Sequence, residues 1–338
     1  MRALFIGGSG TISAAISRLV LEQGWELFLL NRGNRNNEIS AKGKPGKLVE
    51  INCDIRTDSV ETVIRKLKSA SGGQPFDVAA DFIAFTPEHV EKDFSIFESL
   101  CRQYVFISSA SAYQKPLSSY LVTESTPLAN PYWEYSRNKT ACEEFLIAAY
   151  RSKGFPVTIV RPSHTYDERQ VPLGVHGNKG SWQVVKRMIE GRPVIIHGDG
   201  TSLWTMTHNT DFAAGFAGLM GNIHAIGEAV HITSDETLDW NQIYRAIAGA
   251  LDVQLKAVHV SSEYLAKNSP YDFTGSLIGD KANSVVFDNT KLKRLVPGFC
   301  AKVRFDQGIR RTIAHVLSHK EYQVDDPEFD AWCNRIIT

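Results

Sequence analysis

Tyr135 and Lys139 stand four positions apart in Y-S-R-N-K. On a helix those two side chains share a face. They are either surface neighbours or a phenol held beside a cation so that it can move a proton. A free phenol titrates at about 10, and an adjacent ammonium favours its ionised form. The spacing alone turns up about once by chance in a chain this long, so other residues must decide between the two.

A second group with chemical potential lies near the N-terminus, where R-A-L-F-I (2–6) leads into G-G-S-G-T-I-S (7–13) and then a helical pattern. A strand, a glycine-rich turn and a helix form the context of a dinucleotide-binding turn. Gly7 permits the tight bend, Gly10 lets the backbone approach a pyrophosphate, and the helix start offers unpaired N–H groups to that anion. Ser13 replaces the third glycine of the usual spacing and is small enough to keep helix and strand close. No G-K-[ST] follows, so this does not read as a P-loop. The alternative is an ordinary glycine-rich turn. After the second strand, N-R-G-N-R (31–35) supplies Asn31, Arg32 and Arg35 where an NAD-preferring fold usually places a carboxylate. Two guanidinium groups favour a 2′-phosphate and hence NADP(H), with NAD(H) left open; a solvated basic loop is the other reading. Asp54 is placed to meet an adenine or to cap the next turn.

The elements that must position these residues alternate. Strands are expected at 2–6, 25–30, 47–51, 76–83, 104–109 and 157–162, and helices at 11–23, 58–69, 87–101 and 133–153. Such alternation implies right-handed crossovers and an α/β doubly wound parallel sheet of Rossmann type, covered on both faces. Beyond residue 170 the pattern loosens into short strands (193–197, 229–233) and helices (180–190, 208–220, 239–251), which suggests a smaller C-terminal α/β substrate lobe. We expect a dinucleotide-binding domain over 1–165, with 205–222 returning to it, and a mainly substrate-binding lobe over 166–338.

The composition of the 338 residues, 43% apolar and 22% charged, gives ample core for this arrangement. Lys plus Arg equals Asp plus Glu, so no polyanion-binding surface is indicated. The five cysteines are scattered, without C-x-x-C or Cys/His metal spacing, and read as reduced thiols in a cytoplasmic protein. No apolar run reaches membrane-spanning length.

In order along the chain, G-G-S-G-T-I-S, C-D-I-R (53–56), I-S-S-A-S-A-Y (107–113), Y-S-R-N-K (135–139), V-R-P-S-H-T-Y (160–166) and G-D-G-T-S-L-W-T-M-T-H-N-T-D (198–211) resemble the extended short-chain dehydrogenase/reductases, the NAD-dependent epimerase/dehydratase group. The joint order carries the likeness, and Tyr135 is the one tyrosine with a lysine four residues on. The resemblance implies that Tyr135 is the acid/base and that Lys139 holds the nicotinamide ribose and lowers the tyrosine's pKa. It also implies that Ser109 hydrogen-bonds the substrate oxygen, with Ser108 and Ser111 as neighbours to be told apart from it. Ser9, Thr11, Ile12, Ile55, Phe82 and Pro162 complete the implied cofactor contacts. Hydride would pass between a substrate carbon and nicotinamide C4 while Tyr135 moves the oxygen's proton.

Two departures bear on substrate. His164 stands where nucleotide-sugar members usually carry an asparagine, and Trp204 where they carry an arginine for the substrate diphosphate. Both are substrate-binding candidates and favour a smaller, aromatic or free-sugar substrate, although Trp204 could simply pack between lobes. His208 reads as structural, at a helix start. Glu124, Tyr113 and Tyr166 are pocket candidates without assigned roles. Ala110 and Ser111 replace the acidic pair of dehydratases, so dehydration is the least favoured outcome. The glycine turn, N-R-G and D-F-I-A-F (81–85) also resemble the chloroplast stem-loop RNA-binding proteins, which opens an RNA-binding reading, and an NADP(H)-sensing regulator is a third. The balanced charge and the intact Tyr135–Lys139 pair favour an NAD(P)-dependent oxidoreductase or epimerase acting on a hydroxyl or carbonyl of a sugar-like or other small polar molecule. No nucleic-acid or membrane partner is expected, and a homodimer is left open.

Overall fold

Alternate side chains of strand β1 (Arg2–Ile6) enter two different apolar clusters. Ala3 and Phe5 join one and Leu4 and Ile6 the other, because successive residues of a strand point to opposite faces and both faces here are covered. The computed structural model describes residues 1–33 and 39–338; Arg35 lies outside the described residues. From β1 the chain runs through α1 (Thr11–Glu22), β2 (Glu26–Asn31), β3 (Lys47–Asn52), α2 (Val60–Ser71), β4 (Val78–Asp81), α3 (Pro87–Phe97) and β5 (Tyr104–Ile107). The short β6 (Leu121–Val122), α4 (Glu134–Lys153) and β7 (Val157–Pro162) follow.

These strands lie in the order β3-β2-β1-β4-β5-β7, each pair parallel. The order reverses between β1 and β4, which opens a crevice at the strands' carboxyl ends. Strand β4 is shorter than expected: Phe76 pairs with Cys101 only as an isolated bridge, and the ring of Phe82 turns toward Phe5 and Phe216.

The chain continues through β8 (His164–Tyr166), α5 (Trp182–Ile189), β9 (Val194–His197), β10 (Leu203–Trp204), β11 (Met206–His208), α6 (Asn209–Leu219) and β12 (Ala229–Ile232). Helix α6 sends Phe212, Ala213, Phe216 and Leu219 into the cluster that holds Ala3 and Phe5. Strand β12 lies parallel beside β7 and completes a seven-stranded sheet. The remainder, β13 (Leu238–Asp239), α7 (Trp240–Ala250), β14 (Ala257–Val260), α8 (Ser262–Lys267), a π-helical segment (Thr274–Lys281), β15 (Val286–Phe287), α9 (Thr290–Leu295), α10 (Phe305–Ser318) and α11 (Pro327–Ile337), mostly surrounds a third core containing Trp204, Trp240, Phe305 and Trp332. Among the described residues no helix is long and apolar enough to cross a membrane.

One buried ion pair sets α4 against the ends of β5 and β7. Arg161 Nη2 donates to Glu143 Oε2 at 2.6 Å, and both side chains are buried. The Ser108 hydroxyl also donates to Glu143, and Arg161 donates to the Tyr113 hydroxyl at 3.2 Å. A buried charge pair with these extra bonds offsets its desolvation.

Candidate active site

The backbone between β1 and α1 is shaped by packing first. Gly7 has φ +80°, and a Cβ there would meet Ile83 Cγ2 at 2.6 Å, so a side chain is excluded twice. Ser13, in the place of the third glycine, latches the turn: its hydroxyl accepts from Gly10 N at 2.9 Å and donates to Gly7 O at 2.7 Å. Gly10 is the N-cap of α1, and a Cβ there would meet nothing nearer than Ser13 Oγ at 3.4 Å. The first N–H groups of α1 have no intrahelical acceptor, so they are free to meet an anion.

Beside this turn a cleft of about 240 Å³ is lined by Gly7, Ser9, Gly10, Asn31, Arg32, Asp54 and Ile55, all named from the sequence. A glycine-floored crevice beside a helix start, with a guanidinium and no carboxylate at the end of β2, fits a dinucleotide. Asp54 caps the turn, its Oδ1 accepting from Arg56 N at 2.9 Å, and it also lines the cleft. Thr11, Ile12 and Phe82 do not line the cleft. The Thr11 hydroxyl meets Arg169 Nη2 at 3.4 Å, while Ile12 and Phe82 pack on the core. Ile83 takes the place expected for Phe82.

A second cavity, about 310 Å³, brings together Ser109, Tyr135, Pro162, His164 and Trp204. Ser109 follows β5, Tyr135 lies in the first turn of α4, Pro162 ends β7, His164 opens β8 and Trp204 arrives on β10. The serine run divides by partner. Ser108 is buried against Glu143. Ser111 is held by Ser136 Oγ at 2.8 Å and by Asn130 Nδ2, which donates to its carbonyl at 2.7 Å. Ser109 is half-buried, 2.8 Å from Ser111 Oγ, and beside Tyr135.

Lys139 does not line this cavity. Its ammonium is buried, donates to Ala84 O at 2.6 Å and Ile107 O at 2.7 Å, and stands 5.6 Å from the Tyr135 ring centroid. It straps together the chain segments leaving β4 and β5, with one of its three protons still to give. Burial lowers its pKa to about 8. The expected lowering of Tyr135 does not appear: burial raises the phenol's pKa above its ordinary value, with the Ser109 hydroxyl acting in the opposite direction. The reason is geometric, because the ammonium's bonds point at carbonyls rather than at the phenol oxygen.

The two departures from the nucleotide-sugar pattern touch each other. Trp204 Nε1 donates to His164 Nδ1 at 3.2 Å, and Trp204 rests on Trp240 with centroids 5.6 Å apart. Burial, with Lys281 and His176 adding to it, takes His164 down to about 3. His208 is structural as expected, the N-cap of α6, its side chain accepting from Thr210 N. Tyr113 and Tyr166 are buried in the core and do not line the cavity; Glu124 accepts from His231 N at 3.2 Å. The sequence reading missed Lys115, Trp133, Asp280 and Lys281 on the cavity wall. They lie in loops and a π-helical segment without periodicity; only charge could have flagged Lys115, Asp280 and Lys281, and only its place two residues before Tyr135 could have flagged Trp133.

The model of the NAD dependent epimerase/dehydratase family matches residues 3–232. The chain is 25% identical over 319 residues to the 2′-dehydrokanamycin reductase of Streptomyces kanamyceticus, covering 88% of this chain and 80% of that protein. It is 28% identical over 257 residues to the chloroplast stem-loop binding protein of 41 kDa b of Arabidopsis thaliana, covering 74% of this chain and 63% of that protein. In fold it is similar to the crystal structure of dTDP-glucose 4,6-dehydratase from Bacillus anthracis in complex with NAD, with a TM-score of 0.74 and 19% identity over 95% of this chain and 98% of that one. The glycine turn, the parallel sheet and the family match over most of its length place this chain in the NAD dependent epimerase/dehydratase family.

Proposed function

We propose that this protein is a nicotinamide-dinucleotide-dependent oxidoreductase that works chiefly as a reductase on a carbonyl of a small polar substrate. The observation that carries this is the convergence of Ser109 and Tyr135 on one cavity closed by Pro162, His164 and Trp204. Ser109 holds the substrate oxygen by a hydrogen bond. Tyr135, whose burial keeps it protonated at neutral pH, donates its proton to that oxygen as negative charge develops there. A phenol held in its acid form suits reduction better than oxidation. Lys139 uses its remaining proton on the cofactor ribose. The dinucleotide supplies the hydride, and Gly7, Ser9, Gly10, the first backbone N–H groups of α1, Asn31, Arg32 and Asp54 hold its adenosine and pyrophosphate part.

NADP(H) is favoured over NAD(H), supported by Arg32 on the cleft wall and by the lack of a carboxylate at position 31. Residues 1–165 with 205–222 act as the dinucleotide-binding part, and 166–338 mainly as the substrate lobe. A cavity of about 310 Å³ with Trp204 on its wall lies at the small end of the roughly 300–1,000 Å³ of ligand clefts, which favours a substrate of sugar size over a nucleoside diphosphate sugar. Titration of the purified protein with NADPH and NADH tests this; NADPH binding with a clear preference is expected. Likeness to the stem-loop binding protein supports an RNA-binding alternative. Retention of structured RNA at physiological salt with neither dinucleotide bound would favour that alternative.

A further inference from the structure

The substrate cavity carries more positive charge than its own wall neutralises. Lys115 is buried at 4% exposure and lines the cavity, and its ammonium hydrogen-bonds to no described residue. Its backbone is fixed from behind: Lys115 N donates to Ala129 O at 3.2 Å, and the preceding Gln114 N donates to Pro127 O at 2.7 Å. The end of the π-helical segment forms another part of the wall. Lys281 Nζ donates to Ser276 O at 3.2 Å and stands 3.9 Å from Asp280 Oδ2, so Asp280 is shared between Lys281 beside it and Lys115. That segment is seated firmly. Asn130 Nδ2 donates to Gly279 O at 2.7 Å, and a Cβ on Gly275 would meet Trp133 Cδ1 at 2.3 Å. π-helical turns of this kind recur at functional sites.

Two ammonium groups and one carboxylate therefore face a cavity whose remaining polar groups, Ser109, Ser111, Tyr135, Ser163 and His164, are neutral. His164 accepts the Trp204 indole proton and so adds no charge. Asp280 is one carboxylate acted on by two ammonium groups, and Lys115 keeps hydrogen-bonding capacity that an anion in the cavity can meet.

We infer that Lys115 recognises an anionic substituent, a carboxylate or a phosphate monoester, on the substrate, and that the site rejects polycationic sugars. This rests on the reductase reading above and names the substrate class of that same cavity. Ser109 and Tyr135 take the reacting oxygen, and Lys115 takes the anion. The chain thus differs in specificity from a reductase of an aminoglycoside ketone, despite its likeness to one.

The test measures binding of four probes to the NADPH-loaded protein by calorimetry: glucuronate, glucose 6-phosphate, glucose and kanamycin. At least one anion should bind about tenfold or more tightly than glucose, and kanamycin should not bind. The glucuronate and glucose 6-phosphate arms separate a carboxylate from a phosphate. Lys115→Met should abolish the preference and Lys115→Arg should restore most of it, with NADPH affinity within about twofold in both, which shows that the variants fold. Equal binding of glucose and the anions, tighter binding of kanamycin, a preference that survives in Lys115→Met, or no anion binding in the millimolar range each overturns the inference. Failure to bind any dinucleotide would instead overturn the reductase reading.

Discussion

Nδ1 of His164 accepts the indole proton of Trp204 at 3.2 Å. An indole N–H only donates, so Nδ1 must be unprotonated and the ring neutral, with its proton on Nε2. Two residues that depart from the nucleotide-sugar pattern thus form one unit: an aromatic wall that orients a neutral hydrogen-bond donor. With burial holding the imidazole down to about 3, His164 is expected to remain the neutral Nε2–H tautomer from pH 8 to pH 5. ¹⁵N-detected NMR of the histidine rings checks this, and a His164 titration near its ordinary value would contradict it.

Tyr135→Phe removes the proton donor while leaving the ring's packing on Trp133, 5.2 Å away between centroids. We expect kcat on an identified substrate to fall by about 10²–10⁴, with dinucleotide affinity within about twofold. Ser109→Ala is expected to cost less, because Ser111 lies 2.8 Å from the lost hydroxyl. Unchanged turnover in Tyr135→Phe would remove the proposed acid.

Lys139 makes stability depend on pH in a specified direction. Its folded pKa, about 8, lies below its unfolded value, so between pH 8 and about 10.4 the unfolded chain holds the proton more tightly. Stability tied to this group is therefore complete above that window and is lost as pH falls through 8. Comparing urea unfolding of the wild type with Lys139→Met, the difference should move by about 2 kcal/mol in favour of the wild type between pH 7.5 and 9.5. A constant difference, or one moving the other way, would contradict the buried ammonium.

Glu143→Ala leaves Arg161 buried without the partner it holds at 2.6 Å and frees Ser108. A loss of about 3–5 kcal/mol in unfolding free energy is expected. A loss under about 1 kcal/mol would show that this pair does not hold α4 to the sheet.

Arg32→Ala is expected to weaken NADPH binding by about tenfold, the scale of one charge-assisted contact, and to leave NADH within about twofold. Equal losses for both would assign Arg32 to the cleft's general charge rather than to a 2′-phosphate.

The fold was legible in the sequence where period and punctuation agreed. Strands such as Leu27–Leu30 are apolar throughout because both faces of the sheet are covered, and Gly154 in the left-handed conformation ends α4 where the helical pattern stops. Strand β12 was harder to place, because four residues, Ala-Val-His-Ile, carry no sign of which sheet they join. At the site, the glycine turn and Tyr135 were visible from their place after a strand and on a helix, and Ser109, Pro162, His164 and Trp204 from the resemblance to the extended short-chain dehydrogenase/reductases. Lys115 and Lys281 were not, since nothing local distinguishes a solvated lysine from one folded inward. The electrostatic role expected of Lys139 failed for a related reason: spacing places two side chains on one face but does not say which acceptors the ammonium will find.

A crystal structure with NADPH bound decides whether the phenol and the serine face the reacting ring. The nicotinamide should lie against Pro162, with its reactive carbon opening toward the hydroxyls of Ser109 and Tyr135. A nicotinamide seated outside that cavity, with Tyr135 and Ser109 facing neither it nor a bound substrate, would contradict the assignment of the proton donor.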